Sequence, residues 1–364
     1  MPGIELAENS IGIAPKRFAA SVLLRQRRHR RRDRAEDGGA ILATQREKQR
    51  TRIASLAESY HGDTVGSMSL GYSETFHRFY KELLFSGAAP YPAACVPLLP
   101  AHERGAAALD AAVNEAEETL TANKDTLAAL IMEPLMQGAA GMWAQPAGYV
   151  QALHDICRRH GILFILDEVA TGFGRTGKMF ACEHANVAPD LLCLAKGITG
   201  GYLPLAATLS TEEIFRLFWA SIKNSKLSST AILTRAIRSA APSRARIWRC
   251  LNEKTRSKTC NRGSSICARG CARSSFHLPH VGDVRQWGYM VGIELVQDKK
   301  ASAKNYRPEE RIGYKVILEA RKRGVMIRPL GDVIILMPPL SISDGELTAL
   351  LDVVHDSIGV VTEN

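Results

Sequence analysis

Three short apolar runs between residues 126 and 210 constrain this chain more than any other feature: ALIM (Ala129 to Met132), ILFIL (Ile162 to Leu166) and LLCLA (Leu191 to Ala195). Each has the length of a strand buried on both faces. Between the first two lies PAGYVQALHDICRRHG, which places Tyr149, Val150, Leu153, Ile156 and Cys157 on one helical face, with Pro146 near its start and Gly161 just past its end. Strand, helix, strand at this spacing predicts an α/β fold with a mostly parallel sheet.

Each run ends in a polar residue: Glu133, Asp167 and Lys196. Ligands of open parallel sheets sit beyond the carboxyl ends of the strands, so Asp167 and Lys196 are candidates to meet one small molecule. The alternative is that they are surface residues at strand ends. A lysine and a carboxylate so placed suit pyridoxal phosphate, which needs an amine to attach its aldehyde and an acid to keep its ring nitrogen protonated. The segment GFGRTG, Gly172 to Gly177, also matches a dinucleotide-binding pattern, with Asp190 at about the right separation. That match is weak, because Asp167, Glu168 and three further residues separate strand from glycines.

The C-terminal part predicts a second, smaller α+β unit. EERIGYKVILEARKRG reads as a helix closed by Gly324, VMIRP and VIILMPP read as two strands, and Ser343 with Glu346 forms a capping box. The helix that follows is faced by Leu347, Leu350, Leu351, Val354 and Ile358.

The net charge of +10 suggests a polyanion partner until it is located along the chain. Residues 21–50 hold ten Lys and Arg against four Asp and Glu, and residues 221–280 hold thirteen against one. The rest carries 24 basic against 32 acidic residues, so the basicity belongs to two patches in a mildly acidic protein. Four cysteines, Cys250, Cys260, Cys267 and Cys271, crowd into the second patch; gaps of nine, six and three residues with no C-x-x-C pair argue against zinc, even with His277 or His280 as a further ligand. No metal is expected. The other four, Cys95, Cys157, Cys182 and Cys193, read as small apolar residues in a reducing compartment. No apolar run reaches the roughly 20 residues that span a bilayer, and MPGIELAENS is unlike a secretory signal, so a cytoplasmic protein with no membrane partner is expected.

The stretch ILDEVATGFGRTGKMFACEHANVAPDLLCLAKGITGGYLPLAA resembles the core of the class III pyridoxal-phosphate aminotransferases, and within them the branch that aminates 8-amino-7-oxononanoate in biotin synthesis. ESYHGDTVGSMSLG, FHRFYKELLF, ALIMEPLMQGAAGM, LPHVGDVRQWGYMVGIELVQDK and VMIRPLGDVIILMPPLSI extend the likeness over Arg50 to about Ile214 and from His277 to the end. The resemblance implies a fold-type-I transferase: a large cofactor-binding domain over residues 1–276, a small domain over 277–364, and a homodimer. It implies pyridoxal 5'-phosphate as cofactor and S-adenosylmethionine as amino donor. Lys196 would attach the cofactor, Asp167 would pair with its ring nitrogen, Tyr60 would pack on the ring beside the substrate, and Arg328 would meet the substrate carboxylate. Lysine as donor, another ω-amino or oxo acid as substrate, or a non-catalytic relic stay open.

The two basic patches, 21–50 and 216–276, depart from the family pattern, as does an N-terminus shorter than the family's. With permitted codons, Arg25 to Thr44 read from the second base gives DNGATAVEIALKMAVQYWR, which resembles the family's phosphate-binding loop and helix. Ser228 to Ala245, read one base earlier, permits FFHGHSHAGNPLGCAVARA, resembling the loop that crosses the dimer interface. Both patches are therefore expected to be out-of-frame segments of an aminotransferase gene, and no nucleic-acid partner is expected. A basic nucleic-acid arm at 21–50 is the competing explanation.

Overall fold

The structure, a computed structural model, describes residues 8, 10–15, 18–25, 49–72, 74–84, 88–91, 106–202, 205–216, 278–298 and 305–363. The arginines of the first patch from Arg27 to Arg46, the second basic patch as far as His277 with its four cysteines, Cys95, and nearly all of both out-of-frame segments lie outside the described residues.

The expected strands form the middle of a seven-stranded sheet. Its order is β1 (Phe18–Arg25), β9 (Leu205–Thr211), β8 (Leu191–Leu194), β7 (Leu163–Asp167), β4 (Leu127–Met132), β2 (Arg52–Leu56) and β3 (Ala88–Tyr91). Neighbours from β8 to β3 run parallel, while β9 runs antiparallel to both β8 and β1. All six residues of β4 and all four of β8 are buried, which explains why they read as unbroken apolar runs rather than alternating ones.

Two helices cover one face: α2 (Ala106–Asn123) and α3 (Ala147–His160), preceded in the chain by the short α1 (Val65–Leu70). Helix α3 begins after Pro146 and stops at Gly161, whose φ of 63° is the left-handed cap expected of that glycine. It buries Tyr149, Val150, Leu153, Ile156 and Cys157, the predicted face, and also His154. Each large apolar side chain packed this way stabilises the fold by about 1.5–3 kcal/mol.

A second, four-stranded antiparallel sheet has the order β10 (Val281–Trp287), β11 (Met290–Leu295), β13 (Val333–Leu336) and β12 (Arg328–Leu330). Helices α4 (Ile312–Lys322) and α5 (Asp344–Thr362) close a separate core over it, with Val291, Ile293, Leu295, Val316, Leu347, Leu351 and Ile358 inside. The capping box at Ser343 and Glu346 is formed as the sequence predicts. Two boundaries move: α4 starts only at Ile312, because Arg311 takes a left-handed φ of 48° after a short turn, and β12 starts at Arg328 rather than Val325. A further apolar cluster, Met136, Met142, Met290, Val333 and Ile335, packs the second sheet against the segment that follows β4. It includes the small hairpin of β5 (Met136–Gln137) and β6 (Trp143–Ala144).

Candidate active site at the strand ends

Four parallel strands deliver polar residues to one edge of the large sheet. Tyr60 and His61 follow β2, Glu133 follows β4, Asp167 ends β7, and Lys196 stands two residues past β8. Because Asp167 pairs with Cys193 in the parallel register, Lys196 lies just beyond it on the neighbouring strand. All five line one cavity of about 1330 Å³, together with Arg328 from the second sheet. The four residues singled out from sequence, Tyr60, Asp167, Lys196 and Arg328, thus share a single cavity.

Asp167 is 5% exposed, and both its oxygens are engaged. Oδ2 lies 2.9 Å from Nδ1 of His61, and Oδ1 accepts the Val169 amide at 3.1 Å. His61 is equally buried, and its Nε2 has no hydrogen-bond partner among the described residues. Nδ1 is the nitrogen placed to donate to the carboxylate, which holds Asp167 in one orientation.

Glu133 accepts the Tyr60 amide at 3.2 Å and the Gly138 amide at 3.1 Å. Burial pushes its carboxyl up to about 7, and the charge of Asp167 adds to the rise, while His61 and the two amides oppose it. Tyr60 is thereby fixed through its backbone as well as its side chain. Its hydroxyl donates to Asp63, and its ring stacks on His77 at 5.7 Å and meets Phe76 edge-on at 6.0 Å.

Lys196 is exposed to the cavity and carries a φ of 38°, in the left-handed region that costs a residue with a Cβ. The next residue must be glycine here: a Cβ on Gly197 would lie 2.5 Å from the ring of Phe173. Phe173 belongs to GFGRTG, so that segment packs beneath the lysine loop and is not a phosphate cradle. Glu168, just before it, accepts the amides of Ala181 and Cys182 at 2.6 and 2.8 Å. Asp190 accepts the Phe164 amide at 2.9 Å and stands at the start of β8, the end of the sheet opposite the cavity. The dinucleotide reading fails on both counts.

The chain's residues from 39 to 358 match the family model described as aminotransferase class III. The chain belongs to the class III aminotransferases. Among curated members, the adenosylmethionine-8-amino-7-oxononanoate aminotransferase of Nitratidesulfovibrio vulgaris is 45% identical over 88% of this chain and 59% of its own length. The enzyme of that name from Methanocaldococcus jannaschii is 39% identical over 86% of this chain and 69% of its own. The chain therefore spans about three-fifths to two-thirds of the length of these class III relatives. A crystal structure of the M. jannaschii enzyme overlays with a TM-score of 0.82 at 36% identity, covering 99% of this chain and 80% of that one. An ω-transaminase from Thermomicrobium roseum overlays at 0.88 with 28% identity, covering 99% and 79%. The chain thus has the fold-type-I architecture of the class III transaminases.

The sequence did not single out His61, although it stands in the YHGD segment, and it marked Glu133 only as a strand end. Nor did it single out His77, whose ring meets Tyr60 only once the loop after β2 is folded.

Proposed function

We propose that this class III chain is a pyridoxal-phosphate-dependent aminotransferase that moves an amino group from S-adenosylmethionine to 8-amino-7-oxononanoate, giving 7,8-diaminononanoate in biotin synthesis. The observation that carries the reading is the meeting of Lys196 and Asp167, on adjacent strand ends, in the cavity that Tyr60 and Arg328 also line. The residues fit the cofactor: a buried carboxylate held by His61 lies in reach of a cavity-facing lysine, with an aromatic ring beside them.

When bound, the cofactor supplies an electron sink for the pair left on a substrate carbon that loses a proton. Lys196 would attach it and, once displaced by the donor amine, would carry that proton on Nζ. Asp167 would hold the ring N–H by charge, with its own orientation set by His61. Tyr60 would cover one face of the ring. Arg328 would take the substrate carboxylate with its planar fork.

Borohydride reduction of the cofactor-loaded protein followed by peptide mapping tests the assignment. A pyridoxyl adduct on the peptide containing Lys196, absent in Lys196→Ala, is expected; an adduct elsewhere sinks it. Comparing S-adenosylmethionine with lysine as donor decides the second substrate. The higher TM-score against the T. roseum ω-transaminase, 0.88 against 0.82, is the observation behind a second reading, action on another ω-amino acid. Turnover of simple ω-amino acids but not of 8-amino-7-oxononanoate would establish it.

We also propose a cytoplasmic homodimer divided near residue 276 into the two domains. Separate cores under the two sheets support the division, and the exposed Phe79, Leu83 and Tyr202 support an apolar partner surface. No described helix is long and apolar enough to cross a membrane. The two basic patches are proposed to be translated out of frame; resequencing the DNA that encodes them decides between a sequence error and a decayed gene.

A further inference from the structure

Arg285, in the middle of β10, is 5% exposed and has no part in the site described above. Each of its three guanidinium nitrogens is nonetheless engaged. Nε donates to the Met142 carbonyl at 3.1 Å and Nη2 to the Gly141 carbonyl at 2.9 Å, while Nη1 pairs with Asp283 at 3.4 Å and with Glu294. A buried cation persists only where paired acids and carbonyls replace water in this way.

The two carbonyls belong to the turn between β5 and β6. Gly141 and Met142 both sit in the left-handed region, with φ of 95° and 54°, so the clamp holds a turn that Met142 alone disfavours. The same turn reaches the cavity. Met142 lines it, the Met142 amide donates to the Gly138 carbonyl at 3.1 Å, and the Gly138 amide is one of the two that hold Glu133.

The register of the second sheet gives the clamp its consequence. Arg285 is paired with Gly292, Gly292 with Ile335, and Ile335 with Arg328. Directly opposed residues of antiparallel strands point to the same face, so one row carries an arginine at each end, three strand spacings or about 14 Å apart. The buried end is bolted to the turn, and the exposed end lines the cavity. In the middle, a Cβ on Gly292 would come within 2.6 Å of the Met142 Cβ, so the row seats directly on the turn.

We propose that Arg285 is a positioning residue: by seating this row on the Gly141–Met142 turn it fixes how far Arg328 stands from Lys196, and so which chain length of ω-amino carboxylic acid the site accepts. The inference rests on the roles proposed above for Arg328 and Lys196. A sheet moves as a unit, so an acid with the wrong number of methylenes must leave one of its ends unpaired. One methylene then changes affinity by roughly tenfold or more.

Calorimetric dissociation constants for straight-chain ω-amino acids differing by single methylenes test this on the protein supplied with pyridoxal phosphate, with an alkylamine lacking a carboxylate as reference. Arg285→Lys keeps a cation beside Asp283 and Glu294 but cannot serve both carbonyls, and Gly292→Ala wedges the row away from the turn. The wild-type protein is expected to show a length optimum. Arg285→Lys should flatten it about tenfold relative to the alkylamine, and Gly292→Ala should shift it toward longer acids. A wild-type profile without an optimum, or a uniform loss across all lengths and the alkylamine in both variants, would overturn the proposal. The dissociation constants are taken from the binding step that precedes amino transfer, so a failure to transaminate would count against the proposed function, whereas the length profile alone decides the role of Arg285.

Discussion

Nδ1 of His61 lies 2.9 Å from Oδ2 of Asp167 across 106 residues of sequence, and both side chains are almost completely buried. A buried carboxylate without a charged ligand is costly, so His61 and the Val169 amide hold it in the position where a cationic ring nitrogen could meet it. His61→Ala should leave Asp167 less well oriented and weaken pyridoxal phosphate by about tenfold to a hundredfold, the worth of a hydrogen bond to a charged group. Spectrophotometric titration with the cofactor reads this directly, and unchanged affinity would show that His61 is only a core residue.

Gly197→Ala should cost stability, because the new methyl would sit 2.5 Å from the Phe173 ring and the loop carrying Lys196 would have to move. The expected loss is about 1–3 kcal/mol, read as a lower Tm. Phe173→Leu in the same chain should recover part of it. Additive losses in the double variant would show that the two residues do not meet in solution.

Burial raises both Glu133 and Glu168 to about 7, so in the folded protein each holds its proton at a pH where the unfolded chain has lost it. The folded state binds more protons between about pH 4.5 and 7, and stability therefore falls as pH rises through that window. Each group contributes on the order of 3 kcal/mol to that fall. Glu168→Gln should flatten its share of the slope, at the cost of setting an amide NH₂ against the Ala181 or Cys182 N–H. Chemical denaturation across that window checks both; equal slopes for the wild-type protein and the variant would contradict the assignment.

Arg328→Gln should raise KM for a carboxylate-bearing substrate by about tenfold to a hundredfold while kcat changes little, because it removes a contact made equally in the ground and transition states. Arg328→Lys should recover only part of this, since an ammonium lacks the two-pronged geometry. A fall in kcat with KM unchanged would place Arg328 elsewhere in the reaction.

What the sequence determined by itself was local. The buried strands, helix α3 with its Pro146 and Gly161 ends, and the capped helix α5 follow from periodicity and cap chemistry, which depend on residues a few positions apart. The strand-end rule brought Asp167 and Lys196 together for the same reason. Tyr60 and Arg328 came only through family resemblance, because nothing near them in the chain marks a function. What the tertiary structure alone decided is long-range: that Asp190 closes the far end of β8, that Phe173 of GFGRTG supports the lysine loop, that His61 holds Asp167, and that Arg285 and Arg328 share one row. These relations join residues from 24 to 144 positions apart, and no local pattern carries them.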